Sequence, residues 1–159
     1  MGFWNHIRRH PLLAIGAVVT GWVAWFGLEL ASVYVVFVPV SYLIDRLPTD
    51  SGLIARQAAG VLFGVPRLLA VSVGVGWIVG RIHRPHQTAA VNIFLVTYLA
   101  SECPWLWRLV VDVLRDPRYI SSLFSQSFAI LVTAGGVMLG GMWSAPTDSP
   151  LRISGSAQP

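Results

Sequence analysis

A chain of 159 residues that is 55% hydrophobic and 11% charged, with a mean hydropathy of +0.66, lies far from the balance of a soluble domain, where about a quarter of residues are charged. All 11 basic residues behind its net charge of +4 are arginine, a usage that fits a GC-rich bacterial genome. They sit as flanking pairs rather than as a groove-sized patch, which excludes a nucleic-acid surface. The single cysteine, Cys103, excludes an internal disulfide, a CxxC redox pair and a cysteine metal site, and reads as a small buried hydrophobe.

Met1–His10, carrying Arg8 and Arg9, followed by Pro11–Val19 begins like a secretory signal. The apolar run then continues for about 25 residues beyond it, well past a signal's 7–15, so a retained anchor is expected. Pro11–Ile44 is the first of four apolar stretches, followed by Gly60–Ile82, Thr88–Trp107 and Tyr119–Trp143. Each reaches the ~20 residues a helix needs to cross the hydrocarbon core. Runs such as Val33–Val38 are apolar on every face, unlike the alternating strands of a membrane barrel. The expected fold is therefore an all-α, polytopic transmembrane helix bundle of four spans. As one helix the first stretch would reach roughly 50 Å, longer than a ~30 Å core, so a bend near Pro39 is expected. The alternative is a hairpin turning near Leu28–Ser32, which gives five membrane segments and lifts Glu29 into the headgroups. No Gly-Pro or Asn-Gly turn marks it.

Asp45–Ser51 reads as a loop, with Thr49 or Ser51 capping an interfacial segment near residues 51–60, and Pro66 is expected to bend the second span. Arg81–Gln87 is a short polar turn with Thr88 as the next cap. Beyond Pro104, Trp105 and Trp107 precede Arg108, Asp112 and Arg115 at helical spacing. That pattern predicts an exit from the bilayer at Pro104 and an interfacial segment over 105–116. Asp116-Pro117 ends the helix and Ser121 or Ser122 starts the last span. One membrane domain over residues 1–143 is thus expected, followed by a flexible polar tail over 144–159 with little to bury. Loop arginines tie between the two faces. Acidic residues crowd the Arg46/Arg108 side, and the expected placement is a multi-pass protein of a bacterial inner membrane with both termini cytoplasmic.

Charge at membrane depth costs on the order of 2.5–3.5 kcal/mol at a helix centre, which makes Glu29, Arg67 and Glu102 the candidate intramembrane polar site. At the membrane edge, Arg8, Arg9, Arg81, His83, Arg84 and His86 suit lipid headgroups. His6 with His10, and His83 with His86, have helical spacing for zinc, but the neighbouring arginines repel a cation and no carboxylate balances it, so no metal is expected. No histidine lies inside a span to ligate haem, and no cofactor is expected. Gly60 and Gly64, Gly76 and Gly80, and Gly136 and Gly140 are GxxxG pairs. Ser125, Ala129, Thr133, Gly136, Gly140 and Ser144 form a small-residue stripe suited to close helix packing, within the bundle or against a partner. Nucleophile-elbow, P-loop, HExxH and dinucleotide signatures are absent, so no enzyme is expected. The expected function is a non-catalytic accessory or packing subunit, in a homo-oligomer or beside a larger membrane partner. The alternative is a small transporter or channel whose polar path is lined by the intramembrane Glu and Arg residues.

Overall fold

A computed structural model describes residues 10–46, 49–84 and 86–144, and the side chains of all of these outside 49–61. Helix α1, Pro11–Ser32, runs through a π-helical turn at Val33–Phe37 into α2, Val38–Ile44. Helices α3, Thr49–Ile82, and α4, Gln87–Arg115, follow, and a 3₁₀ turn at Pro117–Tyr119 leads into α5, Ile120–Trp143. Among the described residues there is no strand. Four helical stretches are long and apolar enough to span a membrane: Pro11–Ile44, Leu62–Ile82, Gln87–Arg115 and Pro117–Trp143. The expected all-α, four-span architecture is the one the chain adopts.

The hairpin alternative is not formed, because Leu28–Ser32 is continuous helix. The irregularity in the first stretch lies just ahead of Pro39 rather than at it. Proline brings no N–H and its ring collides with the carbonyl four residues back, which here belongs to Val35. Widening the preceding turn relieves that collision, and the Val38 N–H accordingly reaches back five residues to the Val33 carbonyl.

Pro66 and Pro104 lie inside α3 and α4, and residues 51–60 and 105–115 are helical and continuous with the spans they adjoin. The helix starts differ from expectation. Thr88 does not cap α4: His86 holds that position, and its side chain makes no capping hydrogen bond. Neither Ser121 nor Ser122 caps α5. The Asp116 carboxylate accepts the Arg118 N–H at 2.9 Å, starts the 3₁₀ turn, and α5 grows directly from it. Helix α5 ends at Trp143, and Ser144, the last residue of the small-residue stripe, is its buried C-cap, whose hydroxyl donates to the Gly141 carbonyl at 2.7 Å. The rest of the tail lies outside the described residues.

Small residues determine the packing. Helices α3 and α5 run parallel and meet backbone to backbone. A Cβ added at Gly76 would overlap the Val137 carbonyl, one at Gly140 the Val73 carbonyl, one at Gly80 the Ser144 hydroxyl, and one at Gly136 would lie 2.6 Å from the Ser72 Cβ. In lipid, where apolar surface gains nothing by leaving its solvent, such contact is what holds helices together. The GxxxG pairs of α3 and α5 are therefore used within this one chain. Gly64, by contrast, has nothing within 4 Å, and the surroundings of Gly60 lie outside the described residues. On the other side, Gly21 of α1 lies under the Phe94 ring of α4, and a Cβ at Gly74 of α3 would meet Leu28 of α1 at 2.8 Å. Phe94, Val75, Val79, Val137, Ala17 and Ala90 are fully buried at the centre.

Candidate functional site

The aromatic contacts of α1 fix its register against α4. Trp22 meets Phe94 edge-on with ring centroids 6.0 Å apart, and Trp25 meets Tyr98 at 5.5 Å. One turn further along both helices, the same offset brings Glu29 and Glu102 to one level. There the Glu29 carboxylate accepts from the Arg67 guanidinium of α3 at 2.6 Å, and the Glu102 carboxylate accepts from the Gln126 amide of α5 at 3.1 Å. Each long helix thus contributes one polar side chain to a single layer. Glu29 stands about 27 Å along the helix from Pro11 and about 22 Å from Ile44, far from either end.

The structure brings two of the three candidate intramembrane residues, Glu29 and Arg67, into an ion pair, and places the third, Glu102, at their level with a different partner. Pairing makes both charges tolerable at this depth. The pair is incompletely satisfied: Glu29 Oε2 and Arg67 Nε are buried without a hydrogen-bond partner. Each keeps one unused hydrogen-bonding position, an acceptor on the carboxylate and an N–H on the guanidinium. The Arg67 and Glu29 side chains keep 24% and 31% of their surface exposed, so the layer is not sealed within the bundle.

Toward the terminal end, the layer gives way to Tyr98, which faces Glu102 and Thr133, and then to the dry block of Phe94, Val75, Val79 and Val137. Thr133 is fully buried, with its side chain toward the Tyr98 phenol. Toward the opposite end, a groove of about 480 Å³ between α4 and α5 is lined by Trp105, Leu109, Ser121, Ser122, Ser125 and Gln126. Gln126 thus belongs both to the layer and to this groove.

The headgroup candidates gather at the terminal end. The His10 and His86 rings stack at 5.4 Å, His83 Nε2 lies 3.4 Å from the Thr20 hydroxyl, and Arg84 donates to the Ser144 carbonyl at 3.1 Å. Arg81 is exposed. Arg8 and Arg9 lie outside the described residues. Among the described residues no group of three or more His, Cys, Asp or Glu is placed to hold a metal ion.

Sequence reasoning missed Gln126, although the cost of burying an amide inside Tyr119–Trp143 marks it just as it marks Glu102. Tyr98 and Thr133 carry no such signal, since a tyrosine or a threonine is common in a span. No protein-family model, curated protein or solved structure matches this chain. Fold and polar layer together define its class: a small helical bundle with four helices able to cross a membrane and one polar layer across them.

Proposed function

We propose that this chain is a non-catalytic subunit of a bacterial inner-membrane assembly, acting by lateral packing against a second copy or a larger membrane protein. The observation behind this reading is that the ion pair inside the bundle stays partly exposed. Phe94, Val75, Val79 and Val137 are fully buried, whereas the Glu29 and Arg67 side chains keep part of their surface open. A partly exposed ion pair is costly against lipid and favourable against a polar group on a neighbouring helix. The test is purification in mild detergent, with mass measured by light scattering. The reading expects a defined complex, and expects a Glu29→Leu, Arg67→Leu double variant that stays folded but runs as a monomer. A wild-type protein that is strictly monomeric and co-isolates with nothing contradicts it.

One observation favours a second reading, a proton-coupled transporter: the buried, unpartnered Glu29 Oε2 beside Arg67, with the serine-lined groove leading away from the same layer. In this reading the dry block is a gate. Flux into liposomes is expected from wild type and lost in Glu29→Gln and Glu102→Gln; absent or identical flux removes it.

A further inference from the structure

We infer that the serine-lined groove between α4 and α5 binds a primary ammonium group, carried by a soluble amine or by a lipid headgroup. Of the two carboxylates in the polar layer, Glu29 is held by Arg67, whereas Glu102 has no ion pair among the described residues. The groups that face Glu102 are the Gln126 amide and the Tyr98 phenol, both neutral donors. Helix α5 brings no charge, since the sequence has none between Arg118 and Asp148. A carboxylate at this depth without a cation is costly, and a cation from outside the chain offsets that cost.

Gln126 joins this carboxylate to the groove. It donates its amide N–H to Glu102 and lines the groove as well, and its carbonyl oxygen is left as an acceptor. Ser121, Ser122 and Ser125 line the same groove, and among the described residues their hydroxyls make no hydrogen bond. The hydroxyls of Ser32, Ser72, Thr97, Ser101 and Ser144, by contrast, each close back on a carbonyl three or four residues earlier in their own helix. Three unused hydroxyls and an amide oxygen match the three N–H donors of an ammonium group, which a quaternary ammonium lacks. Trp105, one turn beyond Glu102 on α4, adds an aromatic wall of the kind that attracts cations. An anion finds no partner here. No basic side chain lines the groove, and the positive start of α5 already carries the Asp116 carboxylate. Binding requires neither flux nor a partner subunit, so the site stands or falls apart from both readings above.

The test uses the full chain in mild detergent at neutral pH. Calorimetric titration compares butylamine, protonated under these conditions, with butan-1-ol, its neutral counterpart of the same shape. Native mass spectrometry compares retention of phosphatidylethanolamine with that of phosphatidylcholine, whose headgroup nitrogen has no N–H. The amine is expected to bind over the alcohol. With it, preferred retention of phosphatidylethanolamine assigns the ammonium to a lipid headgroup, and equal retention of the two lipids assigns it to a soluble amine. Glu102→Gln keeps the side chain's size and is expected to weaken the preferred ligand by at least about tenfold, the scale of one close charge pair. A Ser121→Ala, Ser122→Ala, Ser125→Ala variant, altered at three exposed positions, is expected to weaken it severalfold with Glu102 in place, and keeps the site testable if Glu102→Gln disturbs the layer. Equal affinity for amine and alcohol together with equal retention of the two lipids, or a preference unchanged in either variant, overturns the site.

Discussion

The Glu29 carboxylate of α1 and the Arg67 guanidinium of α3 meet at 2.6 Å, each far from the ends of its helix. With Glu102 and Gln126 they tie all four long helices at one level. Because each charge is tolerable only beside the other, removing one is expected to be worse than removing both. Glu29→Leu and Arg67→Leu should each lower stability by about 2.5–3.5 kcal/mol, the cost of a lone charge at this depth. The double variant should recover most of that loss. Unfolding titrations in mixed detergent micelles measure all three, and additive losses would show that the pair is not coupled.

The glycines of the α3/α5 contact are expected to behave oppositely to those facing outward. Gly140→Ala forces apart two backbones that already touch, and should cost at least the ~1–3 kcal/mol of an overpacked core. Gly64→Ala adds a methyl group where nothing lies within 4 Å, and should be neutral or stabilise by up to about 1 kcal/mol through helix propensity. The same unfolding titration distinguishes them.

Much of this was legible from hydropathy and burial cost. The four stretches, an irregularity near Pro39 and the importance of Glu29, Arg67 and Glu102 as charges inside them follow from what a bilayer tolerates. What was not legible depends on register between helices. Glu102 finds Gln126 because the Trp22/Phe94 and Trp25/Tyr98 contacts set the offset of α1 and α4, and no single helix encodes that offset. The helix starts at Gln87 and Ile120 were missed for a different reason. A cap assignment from Thr88 or from Ser121 assumes that a polar side chain marks the start, whereas His86 and Tyr119, at the end of the Asp116 turn, hold the cap positions, each two residues earlier.

Phe94 is fully buried against Gly21 and Trp22, and Phe94→Ala should leave a cavity there. In water such a change costs about 3–5 kcal/mol, but in a bilayer the transfer part of that cost largely falls away. The cavity part remains: at ~24 cal/mol per Å³ over roughly 100 Å³ it predicts a loss of about 2 kcal/mol. In the transport reading the same variant removes the gate and should raise passive leak in liposomes; in the subunit reading it should not.

Gln126→Leu removes an amide that donates to the part-buried Glu102 and should cost about 1.5–3 kcal/mol, the worth of a hydrogen bond to a charged group. Glu102→Gln in the same background should restore part of it, since a neutral amide needs its partner less than a carboxylate does. Equal stability of Gln126→Leu and wild type would show that Glu102 is satisfied from elsewhere.

The four-span arrangement on which the polar layer depends is tested most directly by single-cysteine labelling from each membrane face in a Cys103→Ser background, with reporters at Leu30, Asp50, Arg84 and Leu114. The expected result is labelling of the Arg84 position from one face, of the Asp50 and Leu114 positions from the other, and protection of the Leu30 position from both. Ready labelling at Leu30 from the Arg84 face would place Glu29 in the headgroups and contradict the layer.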